Sequence, residues 1–218
     1  MMKKNRKIAL VLACAVLLVA STVYVTLAYL SATDSVTNTF TVGKVGIVLD
    51  EAKVDEYGEA ENHDVRVTEN QYKLVPGLTY VKDPTVTVKG GSELCYVRMM
   101  VTINKYEELK NIFGDDFLPQ EYVEGWDEAN WPCVNIKEDA ENNTCTYEFL
   151  YKEAVPASDE DTVLDDLFEE FTFPGEVTEE QMADLEDMEI DVVAHAIQAA
   201  GFDGAEDAWE AFDSQNNQ

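Results

Sequence analysis

Two histidines, three downstream cysteines and a large excess of carboxylates are the side chains of this sequence that could do chemistry. His63 lies in an acidic stretch beside Asp64, and His195 lies far from it, sharing strand parity with Val193 and Ile197. Neither belongs to a His-Glu-x-x-His pattern, and a zinc site needs a closer cluster of Cys and His than these provide. His195 therefore reads as a packed strand residue. The carboxylates cluster as Asp115-Asp116, Asp159-Glu160-Asp161, Asp165-Asp166 and Glu169-Glu170. Such pairs could cleave glycosides or hold calcium. The ligand spacing of an EF-hand is missing, and 44 acids make chance adjacency common. They read as solvated faces, with weak calcium binding as the minority reading and no other cofactor. Nucleophile elbows, phosphate-binding loops and dinucleotide fingerprints are absent. No residue is assigned a catalytic role and none a metal.

Cys133 and Cys145 flank the polar stretch Glu138 to Asn143 and could pair across a short hairpin; free thiols are the alternative. Cys95 alternates with Val97, Met99, Val101 and Ile103, the pattern of a buried core thiol.

The compartment follows from the other end. Lys3, Lys4, Arg6 and Lys7 precede an uncharged run from Ile8 to Leu27, which ends in Thr26-Leu27-Ala28. A basic head, an apolar stretch and small residues before a cut site describe a secretory signal peptide, cut between Ala28 and Tyr29. The run is also long enough for an uncut membrane anchor. Lipid modification at Cys14 is a third alternative. Those four basic residues are among 15, and no acid precedes Ala28, so the rest of the chain carries 11 basic and 44 acidic side chains, a net of −33. That charge excludes nucleic acid as a partner and disfavours anionic lipid surfaces. A hydrophobic content of 46% excludes a disordered tail.

These side chains must be positioned by strands. Val36, Asn38, Phe40 and Val42 alternate with threonines, and after Gly43 the apolar parity passes to Val45, Ile47 and Leu49. Residues 50–71 form a loop or edge hairpin, Pro76-Gly77 a turn, 85–88 a strand, Gly90-Gly91 a turn, and 94–103 a strong strand. Tyr106 to Phe113 is a short helix, and Asp115 to Pro132 a long connection holding Trp126 and Trp131. Thr144 to Tyr151 is a strand. Val163, Leu164, Leu167, Phe168 and Phe171 recur at helical spacing and predict a helix over 161–171. Thr178 and Gln181 make a capping box for a helix reaching about Met188. A strand over 189–199 follows. A last helix carries Ala205, Ala208, Trp209 and Phe212 on one face, before a polar tail from Ser214. The class is mainly β: an antiparallel β-sandwich with short helical insertions and a C-terminal helix. The boundaries are 1–28 for the signal peptide, 29–36 for a mobile segment, 37–213 for one sandwich domain and 214–218 for the tail.

The order of several short motifs resembles one family. Thr26-Leu27-Ala28-Tyr29-Leu30 followed by Asn38-Thr39-Phe40-Thr41-Val42-Gly43 resembles the start of TasA/camelysin proteins. Leu74-Val75-Pro76-Gly77, Tyr96-Val97-Arg98 and the strand Ala194-His195-Ala196-Ile197-Gln198-Ala199 follow in order, and Ala208-Trp209 with Phe212 resembles a closing helix. The chain departs from the family in its cysteines and in His195, and from TasA in its middle region. The resemblance implies a jelly roll and export by Gram-positive bacteria, with processing by a SipW-type signal peptidase. It further implies a secreted or cell-surface subunit of extracellular matrix (biofilm) fibres or of a surface layer. Partners would be copies of itself and other matrix or cell-wall components, with a freed segment (Tyr29, Leu30 through Val36) adding as a strand to the next subunit. Camelysin implies an alternative, a surface metalloprotease; a monomeric surface protein that binds a ligand is a third.

Overall fold

The computed structural model describes residues 44–114, 117 and 119–216. The signal-peptidase site at Ala28 and Tyr29, and the donor segment Tyr29, Leu30 to Val36, lie outside the described residues.

β-Branched and aromatic residues alternating with polar ones dictate three antiparallel sheets. The largest is built on β5 (Cys95–Asn104), flanked by β11 (Ile190–Gln198) and β8 (Thr144–Leu150), with β7 (Cys133–Asp139) beyond β8. A second sheet runs β2 (Arg66–Val67), β1 (Ile47–Ala52), β4 (Thr85–Val88) and β9 (Thr162–Val163). A short third sheet joins β3 (Thr79–Val81), β10 (Glu170–Thr172) and β6 (Val123–Glu124). The mainly-β class with inserted helices is as the sequence reads.

Strand parity sets the core. On β5, Cys95, Val97, Met99, Val101 and Ile103 are all buried. Their cross-strand neighbours Cys145, Tyr147 and Phe149 on β8 share that face. Val86 and Val88 of β4 meet them in the same cluster, as do Tyr80 of β3 and Leu164, Leu167 and Phe168. Trp131 is fully buried and its Nε1 donates to the Asp165 carbonyl at 2.9 Å. The long connection is thus part of the core, because two indole rings bury more apolar area than a solvated loop could leave exposed.

Helix α1 (Tyr106–Phe113) has the predicted limits. It is capped from a distance: Asn143, in the β7–β8 turn, accepts from Glu107 N–H through Oδ1 at 2.8 Å and donates to Glu108 through Nδ2 at 2.6 Å. Helix α2 (Glu179–Asp184) has the predicted capping box, Thr178 Oγ1 accepting from Gln181 N–H and Gln181 Oε1 from Thr178 N–H. It ends four residues short of Met188. Helix α3 (Ala205–Asn216) continues past Ser214, whose Oγ donates to the Glu210 carbonyl, so the expected tail is still helical there.

The helix expected over 161–171 is not formed. The segment is β9, an irregular bend and β10. Its amides bond outward, Leu164 to Val86, Leu167 to Pro84 and Glu169 to Glu124, instead of one turn back. Val163 is 66% exposed, which no helix burying Leu164, Leu167 and Phe168 on one stripe would require. The helical spacing arises from an irregular strand dipping repeatedly into one core.

Gly58 is demanded by the fold. Its φ is +79°, and a Cβ there would sit 2.6 Å from the ring of Tyr80, which is wholly buried.

Candidate functional site

Strand β11 is an edge. It pairs with β5 along its length, from Ile190 opposite Ile103 to Gln198 opposite Cys95, and among the described residues its other side has no strand partner. Its core-facing residues Ile190, Val192, Ala194 and Ala196 reach the core cluster yet stay partly exposed, while Val97, Met99, Val101 and Ile103 opposite them are buried. Val45, Ile47 and Leu49, leading into and along β1, are likewise only partly buried. Among the described residues the sandwich is therefore incompletely covered where β1 and β11 come together.

A small cleft occupies that seam, and a larger one adjoins it. The smaller, about 140 Å³, lies among Leu49, Glu51, Asn70, Lys82, Ile190 and Val192. The larger, about 1030 Å³, shares Asn70, Lys82 and Ile190 with it and extends past Tyr72, Leu74, Met182 and Met188. Glu69, Glu179, Glu186, Asp187, Glu189 and Asp191 also line the larger one, so its wall mixes acidic with apolar side chains.

The wall nearest β1 is fixed by a buried ion pair. Lys82 Nζ lies 2.7 Å from Glu51 Oε2, and both residues are 7% exposed. Asn70 donates to Glu51 Oε1 and to the Ala52 carbonyl, each at 2.8 Å. Val54 N–H donates in turn to Asn70 Oδ1 at 3.1 Å. The carboxylate thus has charge and hydrogen-bond partners together, the condition for burying it. Tyr72 stands beside it; burial, with Glu51 nearby, pushes its hydroxyl well above the usual range. The tyrosine is a neutral donor at any ordinary pH.

The opposite edge of the large sheet is β7. Val134 and Ile136 are about half exposed, and the strand carries a bulge between Cys133 and Asn135. Bulges and charged side chains such as Lys137 and Glu138 discourage pairing at an edge. On β11, Asp191 is the sole ionisable side chain apart from His195.

The face of β11 turned away from the core holds a charged node. Arg98 on β5 is 4% exposed. It donates to Glu148 Oε1 at 3.0 Å, to both carboxylate oxygens of Asp213 at 2.5 and 3.2 Å, and through Nε to His195 Nδ1 at 3.2 Å. Its guanidinium lies over Trp209 at 4.5 Å and Phe212 at 5.1 Å. His195 is thus held neutral, its pKa lowered by burial and then by Arg98, while Asp213 and Glu148 pull the other way. Arg98 keeps the Asp213 carboxyl below its usual range. This node fastens α3 to the sheet; no nucleophile or open coordination position accompanies it.

The cysteine expectation needs correction. All three described cysteines are free. In the ladder Cys133 is opposite Phe149, whereas Cys145 is opposite Glu138. The two are offset by four residues, roughly 13 Å at the rise of a strand, too far for a disulfide. Cys133 opens β7, six residues before that strand ends at the turn, whereas Cys145 is the second residue of β8 after it, so the two are not cross-strand partners. Cys145 is instead buried beside Tyr106 and Tyr147, and burial raises all three thiols.

Among the described residues no group of three or more His, Cys, Asp or Glu could hold a metal ion, and no helix is long and apolar enough to cross a membrane. The sequence reading missed the β1–β11 seam, Lys82–Glu51 and the Arg98 node. Strand parity gave no signal for the last, since Arg98 lies on the opposite face from Val97 and Met99. Compared with family models, curated proteins and solved structures, the chain matches none.

Proposed function

We propose that the protein is an exported structural subunit, of the TasA/camelysin kind, that assembles into extracellular fibres or a surface layer by strand donation. One observation carries the reading: β11 pairs with β5 on one side, has no strand on the other among the described residues, and keeps its core-facing side chains partly exposed, with a small cleft where Ile190 and Val192 face Leu49 and Glu51 of β1. An added strand would bond to the alternate amides and carbonyls of β11 that no described strand pairs, and cover Ile190, Val192, Ala194 and Ala196. The donor is the segment Tyr29, Leu30 to Val36 of a second copy, freed by cleavage after Ala28. Addition of this head-to-tail kind does not close on itself and yields filaments. A jelly-roll ordering of the strands belongs to the same proposal.

Negative-stain microscopy tests it. The protein cut after Ala28 forms filaments, and a version lacking Tyr29 to Val36 stays a folded monomer. Normal filaments from the shortened version would overturn the mechanism.

A further inference from the structure

A second cavity, independent of assembly, lies inside the fold between the β5–β8 face and the short β6–β10 sheet. Its volume is about 90 Å³. Phe113, Trp126, Phe149, Phe171 and Phe173 form much of its wall, and none of its described lining residues is charged. The polar groups in that wall are mostly engaged. Tyr147 hydroxyl is 3.3 Å from that of Tyr106, and Trp126 Nε1 donates to the Trp131 carbonyl at 2.8 Å. Gln120 is the exception: its Oε1 is buried and has no hydrogen-bond partner among the described residues. A buried acceptor left unpaired costs free energy that a donor would recover.

Size and polarity narrow what could supply that donor. An ion is disfavoured, because no described lining residue supplies a countercharge. The volume equals the liquid share of about three waters, yet a buried water needs two to four polar partners, and among the described lining residues Gln120 Oε1 is the one buried side-chain atom left without a partner. An apolar cavity of roughly 150 Å³ accepts benzene. This one is smaller, which leaves molecules of about four or five heavy atoms. We propose that the cavity is a binding site for a small uncharged amphiphile with a single hydroxyl, of the short-chain alcohol class, which donates to Gln120 Oε1 and buries its alkyl part against the aromatic wall. Phe171, Met188 and Ile190 line both this cavity and the large acidic cleft, so entry is from the cleft.

The test uses 1-butanol and xenon on the purified exported protein, read by methyl NMR. The expected result is a saturable shift of the Val101 and Ile103 methyls with each probe. Gln120→Leu weakens 1-butanol about fivefold, the loss of one neutral hydrogen bond, and leaves xenon unchanged. Val123→Phe, which fills the space, abolishes both. Xenon binding without saturable 1-butanol binding would show a dry void and overturn the proposal. So would a Gln120→Leu protein that binds 1-butanol as tightly as its parent, and so would no saturable shift with either probe.

Discussion

Replacing Arg98 by methionine tests how the C-terminal helix is held. The side chain is 5% exposed and its partner Glu148 16%, so that pair is largely out of water. Methionine keeps the aliphatic stem but leaves Glu148 without its countercharge, a loss of about 3 kcal/mol for a buried pair broken on one side. Asp213 is 47% exposed, so solvent screens its bond to Arg98, and losing that adds about 0.5 kcal/mol. The stacking on Trp209 and Phe212 adds about 1 kcal/mol, partly offset by the methionine sulfur on the same rings. The sum is about 4 kcal/mol, measured as a shift in the urea midpoint with unchanged slope. Hydrogen exchange should quicken in α3 before the sheet. Asp213→Asn should cost less than about 1 kcal/mol. The double replacement Arg98→Met with Glu148→Met should recover most of the loss, since an apolar pair of similar size can stand in for a buried ion pair. A loss below about 1 kcal/mol for Arg98→Met, or no recovery in the double variant, would refute the reasoning.

Other outcomes follow from the same geometry. His195 is held neutral, with its folded pKa below the ordinary 6.5, so the stability it contributes is full above that pH and is lost as pH falls below it toward the folded value; a pH series of urea midpoints should be flatter there for His195→Asn. Gly58→Ala should destabilise by about 3 kcal/mol, from a left-handed backbone and overlap with Tyr80, and thermal unfolding checks it. Lys82→Met should cost about 3 kcal/mol in urea unfolding, by stranding Glu51 in the β1 wall. A maleimide should label half-buried Cys133 before Cys95 and Cys145, and the mass should be the same with and without reductant. If the chain assembles as proposed, assembly should rise with salt, because its excess of 44 acidic over 15 basic side chains repels its copies until screened; light scattering that is equal across ionic strengths would oppose that.

Regular alternation was legible in the sequence where both neighbours of a strand are present. Val97, Met99, Val101 and Ile103 announce β5, and Thr178 with Gln181 announces α2, because each signal is local. The segment 161–171 was misread because Leu164, Leu167 and Phe168 reach the core from a chain whose amides bond to Val86, Pro84 and Glu124, partners more than forty residues away in sequence. The cap on α1 comes from Asn143, some thirty-five residues on, and no spacing rule reveals it. The free side of β11 was invisible for the opposite reason. Ile190, Val192, Ala194 and Ala196 alternate like any covered strand, and only the folded arrangement shows that, among the described residues, no strand lies on their other side.

Hydrogen exchange of the processed protein, before and after salt is raised, addresses that edge directly. The account predicts filaments in which alternate amides of 190–198 become protected while the exposed edge of β7 exchanges as in the monomer. Protection of β7 with β11 unchanged, or a monomer whose exchange is the same at every salt concentration, would contradict it.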